Sequence, residues 1–169
     1  MITLGRFTVG IYQNKGITFS NTGSICFLGR AEIGNDSYVS VGTNSKVVFG
    51  NNFKATTTFR LTSQCGITFG ENVRIGWDVL ITDTDYHRLK KTDGTYSKGQ
   101  SAIQIGSFNW FGNGCRILKG VRTPDYLTTA AGTWLTGPID VPQYSVIGNE
   151  KKIKIIASGF WLDPEDCDF

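Results

Sequence analysis

Gln104–Thr136 reads QIGSFNWFGNGCRILKGVRTPDYLTTAAGTWLT. Every sixth residue from Ile105 gives Ile105, Phe111, Ile117, Thr123, Thr129 and Leu135. Residues 18 apart match in pairs: Ile105 with Thr123, Phe111 with Thr129, Ile117 with Leu135. A period of six is neither that of a helix (about 3.6) nor that of an alternating strand (about 2). It suits a chain that turns a corner every six residues and closes a triangular coil after three corners.

The same register extends upstream. Phe27, Ile33 and Val39 are six apart, as are Phe49, Ala55 and Leu61, and then Phe69, Ile75 and Ile81. The step from Phe49 to Phe69 is 20 residues, so two extra residues are expected around Ser63–Gly66. A second inward side chain is expected four residues after each of these, at Val73, Val79, Cys115 and Val121. Ile-Gly and Phe-Gly pairs recur at Gly34, Gly50, Gly70, Gly76, Gly106 and Gly112, where glycine is expected to permit a tight turn. One coil cannot bury its own interior, so coils must stack with like positions in ladders. The fold class predicted is an all-β parallel β-helix. A β-sandwich with many glycine turns would not keep an 18-residue register.

Composition agrees. Glycine supplies 21 of 169 residues and charged residues only 18%. The net charge of +3 comes from scattered basic residues, which does not suggest a nucleic-acid partner. No stretch reaches the ~18 apolar residues of a membrane span. The start, MITLGRFTVG, shows no basic segment followed by a long apolar run, so a cytoplasmic protein is expected. Cys26, Cys65, Cys115 and Cys167 have neither CxxC nor zinc spacing; reduced, mostly buried thiols are expected, with no metal.

The chain reads as a single domain, 1–169. Residues 1–26 are expected to cap the solenoid or form irregular first coils. Residues 82–102 break the register, are polar and carry the only histidine, so they read as a loop thrown out from one corner. Residues 137–169 form a closing segment that starts at Pro138 and Pro142 and ends in a tail with Phe160 and Trp161.

Three blocks are more specific than the period. Ile105–Val121 is followed by Ala130-Ala131-Gly132-Thr133 and by Val141–Asn149 (VPQYSVIGN). Upstream, Gly76-Trp77-Asp78-Val79-Leu80-Ile81 leads to Asp83-Thr84-Asp85-Tyr86-His87. Over roughly residues 27–155 the chain resembles the hexapeptide-repeat acyltransferases, in particular the galactoside, maltose and capsular-polysaccharide O-acetyltransferases. That resemblance implies a left-handed β-helix and a homotrimer. It implies acetyl-CoA as acyl donor in a cleft between subunits, and a sugar or polysaccharide precursor as acceptor.

Residue by residue, it makes His87 the general base. Trp110, Gly112, Asn113, Ala131, Gly132, Thr136 and Lys152 fall on the cofactor side, and Thr56, Asp78 and Tyr86 on the acceptor side. Some positions depart from the family pattern. Thr56 stands for an acceptor-binding Asn, Asn109 for the apolar residue before the tryptophan, and Asn149-Glu150-Lys151-Lys152 for Asn-Pro-Ala-Lys.

The chemistry is compatible with these residues. A thioester is already activated, and an attacking alcohol must lose its proton, a role suited to imidazole. Asp83, Asp85 or a backbone carbonyl is expected to orient His87, and N–H groups near Gly112 and Asn113 to meet the developing oxyanion. Direct transfer in a ternary complex is expected rather than a covalent step on Cys65 or Cys115. A zinc carbonic anhydrase on this fold is excluded, because one histidine per chain cannot supply three at each interface. A sugar-nucleotide N-acetyltransferase and a non-catalytic binding module are the rival functions.

Overall fold

A six-residue period puts one inward side chain near the end of each short strand, and three strands complete a turn. The computed structural model, which describes residues 1–7 and 9–149, has this architecture. The first coil is β1 (Ile2–Arg6), β2 (Ile17–Asn21) and β3 (Ser24–Phe27). The second is β4 (Ala31–Gly34), β5 (Ser37–Val41) and β6 (Lys46–Phe49), and the third β7 (Phe53–Ala55), β8 (Arg60–Ser63) and β9 (Ile67–Phe69). The fourth is β10 (Arg74–Ile75), β11 (Leu80–Thr82) and, after the loop, β12 (Ile103–Ile105). Then come β13 (Trp110–Phe111) with β14 (Arg116–Ile117), β15 (Thr128–Thr129) with β16 (Trp134–Leu135), and β17 (Val146–Ile147).

Strands β1, β4, β7, β10, β13, β15 and β17 make face I; β2, β5, β8, β11, β14 and β16 make face II; β3, β6, β9 and β12 make face III. Single parallel bridges, Gln104 to Arg122 and Arg122 to Pro138, prolong face III. The fold is the expected all-β, left-handed parallel β-helix, with about six turns.

The ladders follow the sequence register. On face II, Phe19, Val39, Leu61, Ile81, Ile117 and Leu135 are successive partners. On face I, Ile33, Ala55, Ile75, Phe111, Thr129 and Ile147 are. On face III, Phe49 stacks between Phe27 (4.9 Å) and Phe69 (5.3 Å). Val73, Val79, Cys115 and Val121 are buried as expected. The two polar rungs survive because each hydroxyl is used. Thr129 Oγ1 accepts from Gly112 N–H (3.3 Å), and Thr123 Oγ1 accepts from Gly106 N–H (3.0 Å).

Strands β1, β2 and β3 pair in parallel with β4, β5 and β6, with a slip between Leu4 and Arg6, as an irregular first coil would. Two expectations change. The corner glycines do not serve tight turns through positive φ. That backbone conformation falls on Asp36, Thr58, Asp78, Phe108 and Tyr126 instead. A Cβ at Gly34 would run into the Thr56 carbonyl, and one at Gly112 would lie 2.8 Å from Ala131 N, so glycine is required by the approach of the next coil. Of the thiols at Cys26, Cys65 and Cys115, only Cys115 is buried.

Candidate functional site

The widened corner appears where the 20-residue step predicts it, between β8 and β9. It is organised by Asp83, which is fully buried. Asp83 Oδ2 accepts from Ser63 Oγ (2.6 Å), Cys65 N–H (2.9 Å) and Gly66 N–H (2.6 Å), and Oδ1 accepts from Gln64 N–H (2.7 Å). Three successive N–H groups converging on one carboxylate form an anion nest. Asp83 also closes the loop at its base, where its carbonyl accepts from Ser101 N–H at 2.9 Å.

The loop itself is an irregular antiparallel finger. It carries bridges Thr84–Gln100 and Lys90–Tyr96, and Asp85 N–H donates to Gly99 O at 2.8 Å. Arg88 lies over the Tyr96 ring, 5.0 Å from its centre. Asp85 pairs with Lys119. His87 is exposed near the base of the finger, in a cavity of about 480 Å³ lined also by Gln64, Thr84, Tyr86, Arg88, Gly99 and Gln100. Tyr86, just before it, has φ 59°, and its N–H is held by Thr84 Oγ1 at 2.9 Å. Asp83 is engaged by the corner and Asp85 by Lys119, and neither carboxylate is hydrogen-bonded to His87 among the described residues.

A second cleft, of about 540 Å³, opens along face I and the corner between faces I and II. Lys54, Thr56, Arg74, Ile75, Gly76, Trp77, Trp110 and Asn113 line it. Trp110 is 56% exposed and stands in register above Arg74, which stands above Lys54. Asn113 Oδ1 accepts from Trp77 N–H (3.2 Å), and Asn113 O accepts from Gly132 N–H (2.7 Å). The left-handed position on this corner is Asp36, Thr58 and Asp78 in the early coils and Gly114 and Gly132 in the later ones. Ala131 and Gly132 are exposed, and among the described residues no atom beyond the chain neighbours lies within 4 Å of where a Gly132 Cβ would sit. Among the described residues the later corner is thus a narrow open shelf.

Thr56 and Asp78 lie on this same side. Thr56 Oγ1 donates to Ile75 O (3.4 Å), and Asp78 Oδ2 accepts from the Tyr12 hydroxyl (2.5 Å). That bond, with the negative charge beside it, pushes the Tyr12 pKa above its ordinary value. The Gly112 N–H is shared between Thr129 O (3.1 Å) and Thr129 Oγ1 (3.3 Å). Thr136 does not join the cleft: it follows β16 on the corner between faces II and III, the edge that carries the His87 finger. Tyr86 is on that edge too, and Lys152 lies outside the described residues.

The sites read from sequence thus form two groups on two edges of one prism. Trp110, Asn113, Ala131, Gly132, Thr56 and Asp78 flank the edge between faces I and II, and His87 and Tyr86 stand on the edge between II and III. The width of face II separates them.

Sequence reading missed Lys54 and three arginines. Arg60, Arg74 and Arg116 each send Nη1 to the carbonyl of a left-handed corner residue one coil below: Asp36, Asn52 (2.5 Å) and Asp78 (2.6 Å). The signal was an Arg directly before the inward Leu or Ile.

Among the described residues no helix is long and apolar enough to cross a membrane, and no cluster of metal-ligating side chains occurs. No protein-family model matches the chain. The chain is 31% identical over 105 residues to the galactoside O-acetyltransferase of Escherichia coli (strain K12), a match over 60% of this chain and 49% of that protein. It spans about half the length of this curated relative. Its fold matches the polySia-specific acetyltransferase NeuO, with a TM-score of 0.51 and 20% identity over 90% of this chain and 75% of that one. The polysialic acid O-acetyltransferase OatWY aligns with a TM-score of 0.49 and 19% identity over 80% and 89% of the two chains. The solenoid of parallel strands, the galactoside-acetyltransferase-like stretch and the shared fold together fit the hexapeptide-repeat acetyltransferase family.

Proposed function

We propose that this chain is an acetyl-CoA-dependent O-acetyltransferase acting on a sugar hydroxyl. It works as a homotrimer in which the His87 finger of one subunit faces the Trp110 cleft of the next. The carrying observation is the placement of the two groups on different edges of the prism. One chain cannot bring them together, whereas a ring of copies sets each finger against a neighbouring cleft.

The shelf fits the donor. Exposed Ala131 and Gly132 leave room for a thin pantetheine arm against the backbone on the later side of Trp110, whose indole stands between donor and acceptor. Acetyl-CoA supplies an activated acyl group when bound. Thr56, which lines the earlier side of the cleft, and Asp78, on the corner beside it, orient the acceptor. His87 takes the proton that the acceptor hydroxyl loses, and no covalent enzyme step is required. Cys115 cannot serve as nucleophile, because it is buried with its sulfur 3.3 Å from Thr129 Oγ1 and from Ala130 O. The expected setting is cytoplasmic.

Subunit complementation tests this reading. His87→Ala and Trp110→Ala trimers should each be inactive on acetyl-CoA and sugars. Co-refolded mixtures should regain activity, because some interfaces then pair an intact finger with an intact cleft. Mixtures that stay inactive although mixed trimers have formed would reject the shared site.

A further inference from the structure

We infer that the Trp110 cleft selects an acceptor bearing a carboxylate, an acidic sugar or glycan, with Arg74 and Lys54 on the negative charge and the indoles of Trp77 and Trp110 against the ring. This rests on the acetyltransferase reading and adds the substrate class.

The argument begins with one outward ladder. Glu32, Lys54, Arg74 and Trp110 are successive register partners on face I. Lys54 and Arg74 therefore project side by side, about 4.8 Å apart at the backbone. Their charge is not cancelled locally. Glu32 is shared between Arg6 (3.8 Å) and Lys54 (3.7 Å), and Arg74 pairs with no carboxylate among the described residues. Three cations thus stand against one carboxylate. One Arg74 nitrogen is held by Asn52 O at 2.5 Å and Val73 O at 3.2 Å, which fixes the guanidinium plane. A fixed guanidinium is suited to carboxylate recognition.

The indoles supply the rest. Trp77 and Trp110 are 36% and 56% exposed in the same cleft. The C–H groups of a pyranose face carry slight positive charge and pack on the negative face of an aromatic ring. Rings beside a surplus of positive charge suit a sugar that is apolar on one face and anionic at its edge.

Position separates this ligand from the donor's phosphates. The open shelf at Ala131 and Gly132 lies toward the later coils from Trp110, whereas Arg74 and Lys54 lie one and two strands toward the earlier ones, on the side of Thr56.

The test uses the full chain, with tryptophan fluorescence and ligand-observed NMR. Oligogalacturonate is compared with its methyl ester, the same rings without the charge. Binding of the acid should be at least tenfold tighter. Lys54→Glu should abolish that preference while CoA affinity stays within twofold. Lys54 is the residue to vary, because Arg74 also holds the coil; Arg74→Lys, which keeps the charge but loses the planar fork, should weaken the preference without reversing it. Equal affinity for acid and ester, with CoA still bound, would overturn the inference and leave the acetyltransferase reading intact. Loss of CoA affinity in Lys54→Glu, with the sugar preference kept, would assign the cations to the donor and also overturn it. A chain that binds neither CoA nor either sugar would sink both.

Discussion

Asp83 Oδ2 accepts the Ser63 hydroxyl at 2.6 Å, across the corner that carries the extra residues of the third coil. The same carboxylate takes the N–H groups of Gln64, Cys65 and Gly66. An acidic residue beside the histidine loop thus has a structural role, since it holds the corner from which the finger leaves.

Replacing Asp83 by Ala strands three buried or half-buried N–H donors. The expected loss is about 3 kcal/mol, or roughly 6–12 °C in Tm for a chain of this size. Asp83→Asn should do little better, since its amide would point a donor at donors. Asp85→Asn breaks only an exposed pair with Lys119 and should change stability by less than about 1 kcal/mol. Thermal melts of the three variants check this; equal melting of Asp83→Ala and wild type would refute the nest.

Gly34→Ala should prevent folding, because the added methyl would occupy the space of the Thr56 carbonyl in the next coil. Gly10→Ala has, among the described residues, nothing beyond its chain neighbours within 4 Å of the new methyl and should be within about 0.5 kcal/mol of wild type. Soluble yield and circular dichroism of the pair separate coil-to-coil approach from any general need for glycine.

Tyr12→Phe should cost about 1 kcal/mol at neutral pH by removing the hydroxyl that Asp78 accepts. The folded-state pKa of Tyr12 is raised, so the contribution is present in full below the unfolded value of 10.0 and is lost as pH rises through the folded value. Urea midpoints of wild type and variant should differ at about pH 7 to 9 and converge only as the pH passes the raised folded value. A gap that persists at high pH would show that the hydroxyl acts through packing.

His87→Ala should lower acetyl transfer by about 10²–10⁴-fold, the usual range for a general base. The side chain is exposed, so Tm should not move by more than about 1 °C, and CoA affinity should be unchanged. A variant that keeps wild-type turnover would remove histidine from the chemistry.

The period was legible because inward and outward positions are set by the local pleat. That is why Phe111, Ile117 and Leu135 fell on buried rungs. Cap and irregular first coil stayed open as readings of residues 1–26 because residues 7–16 depart from any period, although strands on either side of them are in register. The purpose of the corner glycines was hidden for another reason: the atom that a Cβ would strike belongs to a residue about 20 positions away. The arginines were visible as dipeptides but became meaningful only once Asn52 and Asp78 were seen to turn their carbonyls toward them.

By itself, then, the sequence determined the solenoid, its three ladders, the exit of the long loop after Ile81 and the outward setting of Trp110. These follow from spacing along one chain. The tertiary structure alone decided that Asp83 grips a corner, that Thr136 and Asn113 belong to different edges, and that Lys54 and Arg74 stand beside Trp110. Each of these depends on which residue lies one coil above or below. Each inserted residue shifts that relation, so it emerges only when the coils are stacked.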